Sequence, residues 1–283
     1  MTRYRLDIAY DGTDFHGWAT QPGIRTVQGV LQDAIAAALS DLNLPTQHSL
    51  TVAGRTDAGV HARDQVAHLD CEVPVEKLGA VVALVRRNLP TDIQLLAGQI
   101  AAPGFDARFS ATGRTYCYRL WDLNSVVFPP LQRAVTIVPV DLDVDTMAQA
   151  GAGLVGLREF APFCRAPSPA KTAQGATTIR HLRRFDVVRW PDPSRTIECW
   201  LEADAFCQSM VRSLVGAVAT VGAGRRDTAW LDDVAASHTR ANDVPVLPPR
   251  GLTLDAVTYP PDDQLASRAE QARSTRSLDD GDA

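Results

Sequence analysis

A chain of 283 residues, 45% hydrophobic and 22% charged, has room for one large or two ordinary globular domains and enough core to need no stapling. No apolar run nears the ~20 residues of a bilayer span, and Met1 to Tyr10 alternates charged and apolar groups. Neither a membrane segment nor a signal peptide is therefore expected, and the expected compartment is the cytoplasm. A net charge of −5 excludes a uniformly basic surface, so any contact with phosphates would depend on local arginine clusters.

Arg3 to Tyr10 alternates, with Tyr4, Leu6, Ile8 and Tyr10 on one face, the pattern of a strand. Thr26 is placed to cap a helix whose apolar stripe runs through Val27, Val30, Leu31, Ala34, Ile35, Ala38, Leu39 and Leu42. Leu50 to Ala53 is a short strand leading into a glycine loop, and Gln65 to Glu72 alternates as a third strand. Pro74 opens a second helix stopped by Pro90, and Ile93 to Ile100 is a fourth strand, which completes the order β-α-β-β-α-β. The second half repeats that order loosely. It offers a strand at Thr115 to Trp121, an added strand at Val135 to Val140, and a helix from Asp143 to Leu154 with Asp143 as cap. Strands at Arg180 to Arg189 and Thr196 to Ala205 flank a Trp-Pro-Asp-Pro-Ser turn. An apolar helix from Phe206 to Val221, a short helix from Trp230 to Ser237 and a last strand from Leu252 to Thr258 follow.

The pattern predicts an α/β (α+β) fold of two β-α-β-β-α-β-like halves. These would form a mainly antiparallel sheet with helices on one side and a central active-site cleft. The expected boundaries are an N-terminal domain over 1–105, a C-terminal domain over 106–261, and an acidic tail over 262–283. That tail is expected to be disordered, since it has almost no aromatic or β-branched content. Pro162 to Thr178, rich in Pro, Ala, Ser, Thr and Gly, is expected to border the site. The five cysteines are scattered, without a C-x-x-C pair or a histidine at ligand spacing, so reduced thiols are expected rather than a zinc site or a disulfide framework.

The most informative stretch is Ala53-Gly54-Arg55-Thr56-Asp57-Ala58-Gly59-Val60-His61-Ala62. It places one carboxylate two residues after an arginine, between glycines that let the backbone turn and approach a ligand. On composition alone, a surface turn in which Asp57 accepts bonds from its own backbone is the simpler reading. The stretch nevertheless resembles the catalytic loop of the tRNA pseudouridine synthase A family. So do Tyr10-Asp11-Gly12, His16-Gly17-Trp18, Thr26-Val27-Gln28, Phe105 through Ala111, Arg114 through Tyr118, Phe206 through Arg212 and Gly251-Leu252, all in family order. The chain departs from the pattern at Ala19, after Trp18, and at Cys207-Gln208-Ser209, which bears on RNA contacts rather than on the reaction.

The resemblance implies an isomerase that breaks the C1′–N1 bond of a uridine and rejoins the base through C5. The reaction involves no redox step and no leaving phosphate, so neither a cofactor nor a metal is expected. It implies Asp57 as the nucleophile, Arg212 as the cation that keeps Asp57 ionised, and Tyr116 stacked on the base with its hydroxyl near the proton transfer. It also implies that Arg55 fills the space left by a flipped-out base and that Leu252 packs on the uracil; Arg108, flanking the middle signature, is a candidate RNA contact by its position. The implied partner is tRNA, at nucleotides 38, 39 and 40 of the anticodon stem-loop, and the implied assembly is a homodimer with no membrane association. The residues alone leave plainer roles open: a structural salt bridge for Arg212, a core strand aromatic for Tyr116, a core leucine for Leu252. They also leave open a catalytically silent RNA-binding protein on the same scaffold. A glycoside hydrolase is a third reading, for which Asp64 is the nearest second carboxylate.

Overall fold

The computed structural model describes residues 1–165 and 177–273. The chain divides into two compact units, Met1–Thr112 with Leu254–Arg273, and Gly113–Thr253.

In the first unit, β1 (Thr2–Tyr10) buries Tyr4, Leu6, Ile8 and Tyr10, the face its alternation predicts. Helix α1 (Val27–Asp41) starts where Thr26 accepts a hydrogen bond from the Gly29 N–H, and it buries Val27, Leu31, Ala34, Ile35, Ala38 and Leu39. β2 (His48–Val52) and β3 (His61–Cys71) pair antiparallel and bracket the glycine loop. Helix α2 (Leu78–Asn88) follows a single 3-10 turn and leads to β4 (Ile93–Ile100). β1 pairs antiparallel with both β3 and β4, with Tyr4 opposite Leu69 and Ile100. β3 begins at His61, four residues earlier than its alternation suggests, because the buried His61 and Ala62 continue the ladder to Tyr10.

In the second unit, β5 (Gly113–Trp121) runs parallel to the two-residue β6 (Thr136–Ile137) and antiparallel to a strand over Ile197–Ala203. Helix α3 (Val144–Ala152) is capped by Asp143, whose carboxylate accepts from the Thr146 N–H. β7 (Gly156–Glu159), which the sequence pattern does not announce, pairs with β8 (Ile179–Arg189), and β8 with β9 (Ile197–Ala203). Helix α4 (Met210–Gly222) is buried on nearly every face, and α5 (Thr228–Ala236) is capped by Asp227. α4 begins at Met210 rather than Phe206 because Ser209 sits at φ +67°, outside right-handed helical space. The strand pairing is mainly antiparallel, as predicted.

The chain re-enters the first unit along β10 (Leu252–Thr258) and ends in α6 (Leu265–Gln271). That helix corrects the expectation of disorder from residue 262. Leu265 and Ala269 are buried, Ser110 Oγ donates to the Leu265 carbonyl at 3.0 Å, and Ala266 lies where a Cβ on Gly104 would come within 2.7 Å. Two small apolar contacts in an acid-rich segment leave too weak a periodic signal to read. The rest of that tail, 274–283, and most of the loop expected near the site, 166–176, lie outside the described residues.

A second correction concerns the thiols. Cys164 and Cys207 are joined as a disulfide, with Cα atoms 5.8 Å apart across 43 residues, a pairing for which the sequence has no spacing cue. Cys71, Cys117 and Cys199 are buried outside it.

Candidate active site

The glycine loop of the first unit is held by backbone. The Trp18 N–H donates to the Thr56 carbonyl (3.1 Å), the Gly59 N–H to the Phe15 carbonyl (3.2 Å), and the Val60 N–H to the Asp57 carbonyl (3.2 Å). Two glycines make this approach possible. A Cβ on Gly12 would lie 2.0 Å from the Val60 carbonyl oxygen, and one on Gly17, at φ +87°, would lie 2.9 Å from that of Thr56. Below the loop, Tyr10 Oη and Thr56 Oγ1 share a 2.8 Å hydrogen bond, while Gln65 Nε2 donates to Tyr10 Oη (3.3 Å) and the Gly54 carbonyl (2.9 Å). Burial pushes the Tyr10 phenol up to about 12, so it stays a neutral partner at any ordinary pH. The motifs around Tyr10 and Gly17 are thus the floor and wall of the loop that carries Asp57.

On that frame Asp57 is half-buried and Arg55 exposed. The Asp57 carboxylate makes no hydrogen bond or ion pair among the described residues, while Thr56 beside it bonds Tyr10 and the Trp18 N–H. His61 is committed elsewhere: its Nδ1 accepts from the Gly12 N–H at 3.1 Å and lies 3.2 Å from an Asp11 carboxylate oxygen. Asp64, the second acid of the hydrolase reading, is raised by burial and by Asp7. Its other charged neighbours are Arg5, Asp255 and Arg63, all off the loop.

The middle signature is a turn. Asp106 accepts from the backbone N–H groups of Arg108 and Phe109 at 2.9 Å each, the Ala107 N–H donates to His68 Nδ1 (3.0 Å), and Tyr259 Oη donates to the Ala107 carbonyl (2.6 Å). Arg108 is exposed on this turn, its guanidinium 5.1 Å from the Phe109 ring centroid.

In the second unit, Tyr116 lies on β5 opposite Leu201, 9% exposed, with the Phe206 ring edge-on at 5.1 Å. Tyr118, two residues on, is a core group. Its hydroxyl donates to the Pro248 carbonyl (2.7 Å) and shares a 2.8 Å bond with Thr136. Burial raises its phenol well above the ordinary range, with Thr136 and the Arg212 charge opposing. Leu252, 7% exposed, starts β10 just after Gly251, where any Cβ would strike the Tyr118 ring at 2.7 Å.

Arg212 is half-buried in the first turn of α4. Its Nε is buried with no hydrogen-bond partner among the described residues. With Arg165, Ser209, Arg240 and Val246 it lines a cavity of about 300 Å³. Arg165 and Arg240 carry no sequence signal: each stands alone in its segment, and only the fold places them beside Arg212.

A family profile described as tRNA pseudouridine synthase matches residues 150–260. The tRNA pseudouridine synthase A of Cutibacterium acnes is 52% identical over 280 residues, which cover 99% of this chain and 97% of that protein. Those of Frankia casuarinae and Streptomyces griseus are 47% and 44% identical, each over 98% of this chain and 96% and 95% of theirs. The chain belongs to the tRNA pseudouridine synthase A family. Membership makes it an isomerase.

Among solved structures, a chain of a Cbf5–Nop10–Gar1 complex is similar over 77% of this chain and 54% of its own, at 13% identity and a TM-score of 0.32. A score that low adds nothing to the assignment. What this family member does with its loop has to be read from the geometry above. That geometry gives an acid on a backbone-locked turn in one unit, and an aromatic and a group of guanidinium groups at the start of α4 in the other.

Proposed function

We propose that this enzyme converts uridine to pseudouridine at nucleotides 38, 39 and 40 of the tRNA anticodon stem-loop, with Asp57 as nucleophile toward a flipped-out uridine. The observation that carries the reading is the state of Asp57: a half-buried carboxylate on a rigid loop, with no partner of its own among the described residues. A carboxylate so held is ready to attack C1′ of the sugar or C6 of the base, or to remove a sugar proton, and the loop serves all three routes. Taking the base out of its stack costs a few kcal/mol. Arg55, exposed two residues away on the same loop, offsets that cost by occupying the vacated space, and Arg108 adds a phosphate contact. Arg212 stabilises the ionised acid, Tyr116 stacks on the base and handles the proton at C5, and Leu252 packs against the ring. The working form is a cytoplasmic homodimer.

The test is incubation of the purified protein with unmodified tRNA, followed by mapping of pseudouridine in the anticodon arm. Wild type is expected to modify positions 38 to 40. Asp57→Ala is expected to lose all detectable product while still binding the RNA. Product from the variant would remove Asp57 from the chemistry, and RNA binding without product from wild type would leave a silent binding protein.

A further inference from the structure

The cavity at the start of α4 is built for an anion. Among the described residues, three of the five that line it are arginines and none is an acid. Arg240 donates to Ser213 Oγ (3.2 Å), and burial disfavours its charge, with no carboxylate among the described residues to compensate. Arg212 contributes the buried, unpartnered Nε. Arg212 and Arg240 are half-buried and Arg165 exposed, and an entering anion offsets the partial loss of hydration that the first two bear. The helix adds to the field. α4 is 13 residues long, has no acidic residue in its first turn, and Ser209 at its N-cap makes no side-chain capping bond, so its positive end is not neutralised from within.

The walls are fixed. The Arg165 N–H donates to the Gln208 carbonyl (2.9 Å), the Ala241 N–H to the Pro162 carbonyl (3.1 Å), and the Leu247 N–H to the Arg212 carbonyl (3.3 Å). The disulfide between Cys164 and Cys207 ties the residue before Arg165 to the approach to Ser209. Separate segments of chain are therefore anchored so that their guanidinium groups face one volume.

We propose that this cavity binds a backbone phosphate of the RNA substrate, with Arg165 and Arg240 holding its oxygens beside Ser209 and the start of α4. The inference rests on the RNA-modifying reading above and goes beyond it by assigning two residues that no motif marks. Arg212 serves both roles, since a guanidinium presents five N–H donors and the Nε is only one of them.

The experiment measures binding of an unmodified tRNA anticodon arm by fluorescence anisotropy across a salt series. It uses the full chain carrying Arg165→Gln, Arg240→Gln, both, or the corresponding pair of Lys substitutions. Arg212 is left intact because of its assignment at the reaction centre. The double Gln variant is expected to bind about tenfold more weakly and to raise KM. The slope of log affinity against log salt is expected to fall by about 1 for each phosphate that the variant no longer neutralises. The Lys pair is expected to restore most of the slope.

Wild-type affinity and slope in the double Gln variant would overturn the proposal. So would Lys variants as weak as the Gln variants, which would mean that shape rather than charge was removed. Calorimetric titration with inorganic phosphate separates the other source of the same chemistry. Phosphate binding that the double Gln variant loses while RNA binding stays unchanged would make this a free-anion site and overturn the assignment to RNA. Binding is read without turnover, so missing pseudouridine at positions 38 to 40 would sink the reading of the reaction and leave this one to its own slope.

Discussion

The two units hold their candidate site residues by different physics. In the first, Asp57 is positioned by main chain: glycine-permitted contacts, carbonyl and N–H pairs, and a neutral phenol beneath. In the second, Tyr116 is held by strand pairing and the edge of Phe206, arginines gather around the start of α4, and away from them a buried ion pair joins Asp122 to Arg189 at 2.6 Å. The first arrangement is sensitive to volume. The second is sensitive to charge and to pH.

The largest expected effect on stability lies with that ion pair. Burial alone would raise the Asp122 carboxyl, but bonds from Arg189, Ser125 and the Leu142 N–H outweigh it and hold the group down at about 2. A folded pKa below the unfolded one means that the stabilisation is present above the unfolded value near 4. It then disappears as pH falls from there through about 2. Asp122→Ala leaves Arg189 unpaired and is expected to cost about 3–5 kcal/mol at pH 7 by urea denaturation. The gap from wild type should shrink as pH approaches 2. A gap constant with pH would mean that the pair is not what holds this part of the second unit.

Leu265→Ala comes next. It empties a buried position on α6 and is expected to cost about 2–5 kcal/mol, with no dependence on pH over the same range. An unchanged urea midpoint would return the segment after residue 262 to the status of a tail. Gly12→Ala is expected to be smaller in stability, about 1–3 kcal/mol, because the added Cβ meets the Val60 carbonyl and backbone must move. It is also expected to lower kcat, since the displaced carbonyl lies three residues from Asp57. A Gly12→Ala enzyme with full activity would break the claim that close packing aims the acid.

Much of the first unit is legible in its residues. Tyr4, Leu6, Ile8 and Tyr10 alternate and are buried together, and Thr26 caps the helix whose stripe begins one residue later. The loop from Ala53 to Val60 is readable too, because glycines and a short run of polar groups are a local signal. The second unit reads less well. β7 is four residues long and too short for a period, β6 has only two residues, and α4 starts late because Ser209 takes a left-handed conformation that no propensity announces. The roles of Gly12 and Gly17 as loop walls emerge only when Val60 and Thr56 are seen against them.

By itself the sequence determined the strands and helices with a clear period, the caps, the loop bearing Asp57 and membership of a family of tRNA-modifying isomerases. Each of these is written in residues adjacent in the chain or in the order of motifs along it. Tertiary structure alone decided that Arg165 and Arg240 join Arg212, that Cys164 meets Cys207, and that Leu265 packs back into the first unit. Those contacts join residues tens of positions apart or more. Which distant residues meet depends on how whole elements pack, and no local pattern of side chains encodes it.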